Sequence, residues 1–207
     1  MSFTFRLDGA GFPMAGLASG TYIGLFPLAK SQLESWVAGM ENPEPFGQTW
    51  YDELLAVNPR ADLGRAGDEP WRCFVTGMRV DEARAFARSC GAGYRLPTVE
   101  EWRALDRAGE RIRQALAAWR WMEDRPSAWA VSLLEQGLYP LTWEGVLEVA
   151  VGGDRRLRGI GRPWTGLHPN LWRHDDDREI FPGEERFNYI GMRLAWDPPE
   201  RQPGSFQ

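Results

Sequence analysis

Arg95-Leu96-Pro97-Thr98-Val99-Glu100-Glu101-Trp102 is the stretch that decides how the rest of the chain is read. Pro97 lacks an N–H and its ring blocks a helix that starts further upstream, while Thr98 and Glu101 stand three apart as a capping box. A helix therefore begins here. Trp102, Leu105, Ala108 or Gly109, Ile112 and Leu116 follow at three- and four-residue spacing, which makes one face apolar and carries the helix toward Trp119. Arg95 and Glu101 are placed to pair across the strand-to-helix corner, and Trp102 to be buried against a sheet.

Upstream, Val80, Ala83, Ala87 and Cys90 repeat at helical spacing until Gly91 and Gly93 stop the pattern, giving a second helix. Ser31 and Glu34 form another capping pair, and Leu33, Trp36, Val37 and Met40 share one face of a short helix over residues 32–40. Residues 41–71 are dominated by Pro, Gly, Asn and Asp and predict a long connection, with a helical turn around residues 50–56. Residues 1–30 alternate short apolar pieces with glycine and proline, which predicts a small sheet. Beyond Pro126, the pieces WAVSLL (129–134), GVLEVAV (145–151), RLRGIG (156–161) and IGMRLAW (190–196) predict short strands of a second sheet region. The expectation is an α+β protein of small twisted antiparallel sheets with about three helices and much irregular structure. One domain would span residues 1–197, followed by a frayed tail over 198–207.

The composition, 43% hydrophobic and 26% charged over 207 residues, is that of a chain with an ordinary buried core. A net charge of -5 argues against a phosphate-backbone binder, which starts from a basic face. No apolar run has the length of a membrane span, and Arg6 and Asp8 interrupt the place where a secretory leader needs its apolar core, so a cytoplasmic protein without membrane contact is expected. Cys73 and Cys90 have no CxxC context and are expected as free, packed thiols. Lysine occurs once, at Lys30, and the eleven tryptophans require an aromatic-rich core or an aromatic-lined surface.

The Arg95–Trp102 stretch resembles the RLPTEAEW signature of the formylglycine-generating-enzyme family, also called the sulfatase-modifying-factor domain. Other segments resemble that family in the same order along residues 12–197. Tyr22-Ile23-Gly24-Leu25-Phe26 and the helix after it are similar to its early strand and first helix, and residues 75–83 to the segment that leads into its next helix. Gly137-Leu138-Tyr139 with Glu144 to Val149 is similar to GLYDMSGNVWEW, Arg158-Gly159 with Trp164 to RGGSW, and Ile190-Gly191-Met192-Arg193-Leu194-Ala195 to the closing GFRLA. The resemblance implies a C-type-lectin-like architecture, with helices packed around small twisted sheets.

It also implies which chemistry to look for. Catalytic members oxidise a substrate cysteine with copper held by two cysteines, two and seven residues after the aromatic of the RGGSW-like stretch. Counted from Trp164, those positions are Gly166 and Leu171, and no cysteine follows Cys90. Copper(I) requires soft ligands, which glycine and leucine do not supply. The family's calcium-site asparagine falls on Gly145, or on Glu144 one register away, and no oxygen set for calcium can be assembled around it. Iron-dependent sulfoxide synthases of the same fold draw histidines from an added helical domain, whereas this chain has only His168 and His174. Those two and the run Asp175-Asp176-Asp177 could share a divalent cation; the alternative is a solvated loop. Arg178, Glu184, Glu185 and Arg186 likewise fit an exposed charged segment, and Trp119-Arg120-Trp121 fits either a packed helix end or an aromatic cage.

The expected function is accordingly a non-catalytic binding module, without cofactor or metal, that recognises a protein or peptide partner on the former active-site face. The candidate binding residues are Trp164, His168, Asn170, Trp172, Arg173, Asp175, Phe187, Asn188 and Tyr189, a mixture of aromatics, amides and charges typical of recognition surfaces. Relatives of this kind accompany bacterial signalling and defence modules or serve as the variable proteins of diversity-generating retroelements. Two alternatives stand beside it: a metal-dependent oxidoreductase with a His168/His174 carboxylate site, and a structural subunit of a larger complex.

Overall fold

A computed structural model describes residues 3–59, 73–117, 126–135, 146–162, 177–179 and 185–199. These residues form five helices and two small sheets. The helices are α1 (Lys30–Gly39), α2 (Gln48–Val57), α3 (Val80–Ser89), α4 (Val99–Ala117) and α5 (Ala128–Glu135). The strands are β1 (Phe5–Leu7), β2 (Pro13–Gly16), β3 (Tyr22–Gly24), β4 (Tyr94–Arg95), β5 (Val146–Val151), β6 (Leu157–Arg162), β7 (Asp177–Glu179), β8 (Ile190–Met192) and β9 (Ala195–Trp196). The first sheet is antiparallel throughout, in the order β1-β2-β3-β9-β4. The second runs β7-β6-β5-β8.

The corner at residues 95–102 is built as its sequence requires. The Thr98 N–H donates to Glu101 Oε2 at 2.8 Å, and Thr98 Oγ1 accepts the Glu101 N–H at 3.2 Å, so two orphan donors of the first turn are satisfied reciprocally. Arg95 reaches both Glu101 oxygens at 2.7 Å and both Asp197 oxygens at 2.6 and 2.9 Å. Val151 N–H donates to Pro97 O at 2.9 Å, which docks the corner on the end of β5. Trp102 is fully buried, packed with Val99, Ala150 and Ile160. The rest of the α4 stripe, Leu105, Ala108, Ile112 and Leu116, enters a second cluster with Phe12, Ile23, Leu25 and Phe74.

A third and larger cluster packs Leu33 of α1, Trp50 and Leu54 of α2, and Val80, Ala83, Phe86 and Ala87 of α3 against Met14, Val149, Met192 and Leu194. The chain leaves β8 at Met192 and enters β9 at Ala195, so Arg193 and Leu194 cross from the second sheet to the first. Arg193, with no exposed surface, spans that crossing. Its Nε and Nη2 each donate to a Glu148 carboxylate oxygen at 2.7 Å, and Nη1 donates to Gly24 O at 2.9 Å and Leu25 O at 3.2 Å. A buried charge without such partners would cost several kcal/mol, so both residues must be present together.

Several expectations are corrected. The described residues alone form five helices rather than about three. WAVSLL is not a strand: it forms α5, with Ala130 and Leu133 buried one turn apart against α4's cluster, an arrangement that a six-residue apolar run cannot distinguish from a strand. The helical turn expected near 50–56 is the ten-residue helix α2, held by Trp50 and Leu54 on its inner face. α1 starts earlier than Ser31 and Glu34 indicate, because Gln32 closes the box by accepting the Ala29 N–H at 3.1 Å. IGMRLAW is two strands in different sheets. Finally, β8 pairs parallel to β5, so the second sheet is mixed rather than antiparallel.

Candidate functional site

Sheet register brings one end of the second sheet together from distant parts of the sequence. Val146 at the start of β5 pairs with Arg162 at the end of β6, and Leu147 pairs in parallel with Ile190 at the start of β8. β7 returns beside β6 with Asp177 opposite Ile160. The described residues flanking 163–176, Arg162 and Asp177, thus stand toward the same end as the turn that precedes β8. That turn is Phe187-Asn188-Tyr189, closed by Ile190 N–H donating to Phe187 O at 3.1 Å and tied to β5 by Leu147 N–H donating to Tyr189 O at 2.7 Å.

Phe187 and Tyr189 are 38% and 43% exposed, the large hydrophobic side chains most open to solvent among the described residues. Their ring centroids lie 5.3 Å apart at 35°, a tilted aromatic pair at the exposed surface, with Asn188 exposed between them. The turn is not loosely held. Arg186, whose side chain keeps only 8% exposure, donates to both Glu82 oxygens at 2.6 and 2.9 Å, to Glu53 Oε2 at 2.6 and 3.1 Å, and to Gly77 O at 3.1 Å. One guanidinium therefore clamps the base of the aromatic turn to α2 and α3 together. The same Arg186 holds the Glu53 carboxyl below its ordinary range, through the hydrogen bond first and the charge second. A five-donor fork with two carboxylates suits this bridging role in a way a lysine would not.

Sequence reading missed this clamp and treated Arg186 as part of an exposed charged segment. Its ion-pair partners lie more than a hundred residues away in sequence, and only an arginine immediately before the aromatics could have hinted at it. Asp177, expected in a solvated acidic run, is also engaged. It accepts from Arg103 of α4 at 2.8 Å and lies 3.9 Å from the Arg158 guanidinium. Of the nine candidate residues, Phe187, Asn188 and Tyr189 are brought together in one exposed turn. Trp164, His168, Asn170, Trp172, Arg173 and Asp175 lie outside the described residues, as do Gly166, Leu171, His174, Gly145, Glu144 and Trp119-Arg120-Trp121.

The described chemistry elsewhere is sparse. No group of three His, Cys, Asp or Glu side chains suited to a metal occurs among the described residues. Cys73 and Cys90 are buried free thiols, and burial pushes both upward, Cys90 with the added charge of Asp8 nearby. Thiols in that state are poor nucleophiles. No described helix is long and apolar enough to cross a membrane. Compared with known proteins, the chain matches no family model, and no curated protein or solved structure matches it at a significant level.

Proposed function

We propose that this protein is a non-catalytic binding module built on a formylglycine-generating-enzyme-like, C-type-lectin-like fold, and that it recognises a protein or peptide partner through the end of the second sheet. The observation that carries the reading is the exposed aromatic pair Phe187/Tyr189 on a turn locked by Arg186. Aromatic rings on a rigid base lose little entropy when covered and are the commonest anchors of recognition surfaces. The segments that resemble the family support the fold assignment: the RLPT corner meets β5, and Glu148 of the GVLEVAV stretch pairs with Arg193 of the closing stretch. The absence of cysteine at Gly166 and Leu171 supports the non-catalytic part. A cytoplasmic signalling or defence assembly, or a retroelement variable protein, is the setting such a module fits.

Two experiments test the two halves. Loading the purified protein with copper and offering a CxPxR-type peptide should give neither stoichiometric metal nor oxidised peptide cysteine; one tight copper per chain with turnover would sink the non-catalytic half. Affinity capture from the native host, run in parallel with wild type and a Phe187→Ala/Tyr189→Ala double variant, should recover a partner only with the former. Equal recovery by both baits would move the recognition face elsewhere.

A further inference from the structure

A concave feature lies at the other end of α3, away from the aromatic turn. Arg186 grips Glu82 in the first turn of α3, whereas Ser89 and Cys90 at its C-terminal end line a groove of 440 Å³ shared with the end of α1. A helix of ten residues separates these ends by roughly 15 Å, at 1.5 Å per residue. The groove has an apolar wall, Trp36 and Met40, and an oxygen-rich rim formed by Ser35, Glu41, Asn42 and Ser89. Gly9 completes it: a Cβ there would sit 2.5 Å from the Trp36 ring, so only glycine lets the backbone lie against the indole.

The charge on its described lining has one sign. α1 and α3 both end at the groove; Val37 O accepts the Met40 N–H, and Phe86 O and Arg88 O accept the Cys90 and Gly91 N–H groups, but each helix C-terminus still carries a partial negative charge of about half a unit. α1 has no basic residue in its last turn, and α3 has one, Arg88, at its exposed side. Glu41 adds a full negative charge, and none of the described lining residues is basic. An indole face beside carbonyls and a carboxylate favours a cation that also carries an apolar stem.

We propose that this groove binds a primary alkylammonium, its stem along Trp36 and Met40 and its three N–H donors on Glu41 and the neighbouring oxygens. The ammonium belongs either to a free amine or to a lysine side chain of a bound peptide. The site is independent of the recognition turn, and its loss would leave that reading untouched.

The test is a titration followed on the Trp36 indole ¹H–¹⁵N signal, assigned by its disappearance in Trp36→Phe. Pentylammonium chloride, 1-pentanol and acetyl-Gly-Lys-Gly-amide are added separately at neutral pH over the millimolar range. A saturable shift with either cation and none with the alcohol supports the site, and the tighter of the two cations names the source. Glu41→Gln, in an exposed loop position, should weaken the cation about fivefold, the effect of losing one solvent-facing charge. Glu41→Lys should abolish binding because its own ammonium occupies the groove. No saturable shift with either cation, or an equal response to 1-pentanol, overturns the proposal.

Discussion

Thr98, Trp102 and Arg95 show how three side chains divide the work at one corner. Thr98 satisfies a single backbone donor, so Thr98→Ala should lower stability by about 1 kcal/mol. Trp102 is fully buried, and Trp102→Ala should cost about 3–5 kcal/mol by leaving a cavity; chemical denaturation of both variants checks the order, which an unchanged midpoint for Trp102→Ala would contradict. Arg95 sets a pH dependence. Its hydrogen bonds hold Asp197 below its ordinary 3.8, and Glu101, which burial alone would raise, is brought below 4.5 by the hydrogen bonds and charge of Arg95 together with the Thr98 hydrogen bonds. A carboxyl lowered in the folded state adds stability above its unfolded pKa and loses it as pH falls through the folded value. Stability should therefore drop below about pH 4, and Arg95→Met should flatten that fall. Asp8, raised by burial, works in the opposite direction but identically in both proteins. Equal slopes in the two denaturation series would show that Arg95 does not hold these carboxyls.

At the level of elements, legibility followed the length and punctuation of each segment. α3 and α4 were plain in the sequence because their stripes run for several turns between explicit starts and stops. α5 was not, since six apolar residues satisfy a strand and a helix equally and only packing against α4's cluster decides. The cap of α1 moved because Gln32 supplies the same reciprocal bond as the expected Glu34 while also donating to the buried Asp8 at 2.6 Å. Gly93 marks a junction that the sequence flagged only as a helix stop. Its φ is +83°, its carbonyl accepts the Asp197 N–H at 3.0 Å, and a Cβ there would meet Asp197 O at 2.2 Å. Gly93→Ala should therefore destabilise by about 2 kcal/mol through strain between β4 and the end of β9, measurable as a lowered thermal midpoint; an unchanged midpoint would mean the junction yields freely.

Across the whole molecule, the parts that sequence could not supply are the long-range ones. Glu148 with Arg193, and Arg186 with Glu53 and Glu82, join residues 45 to 133 positions apart, and charge spacing along a chain carries no trace of such pairs. They hold the proposed recognition turn, fixing the sheet crossing behind it and the base beneath it. The aromatic residues at that turn were legible by type; their exposure and mutual contact were not. The central claim is that Phe187 and Tyr189 anchor a partner while contributing little to the core. Isothermal titration of the purified partner against wild type and Phe187→Ala/Tyr189→Ala tests it most directly, with the thermal midpoint of each protein recorded alongside. The account predicts binding weakened by at least ~2 kcal/mol with an unchanged midpoint; wild-type affinity in the double variant would contradict it.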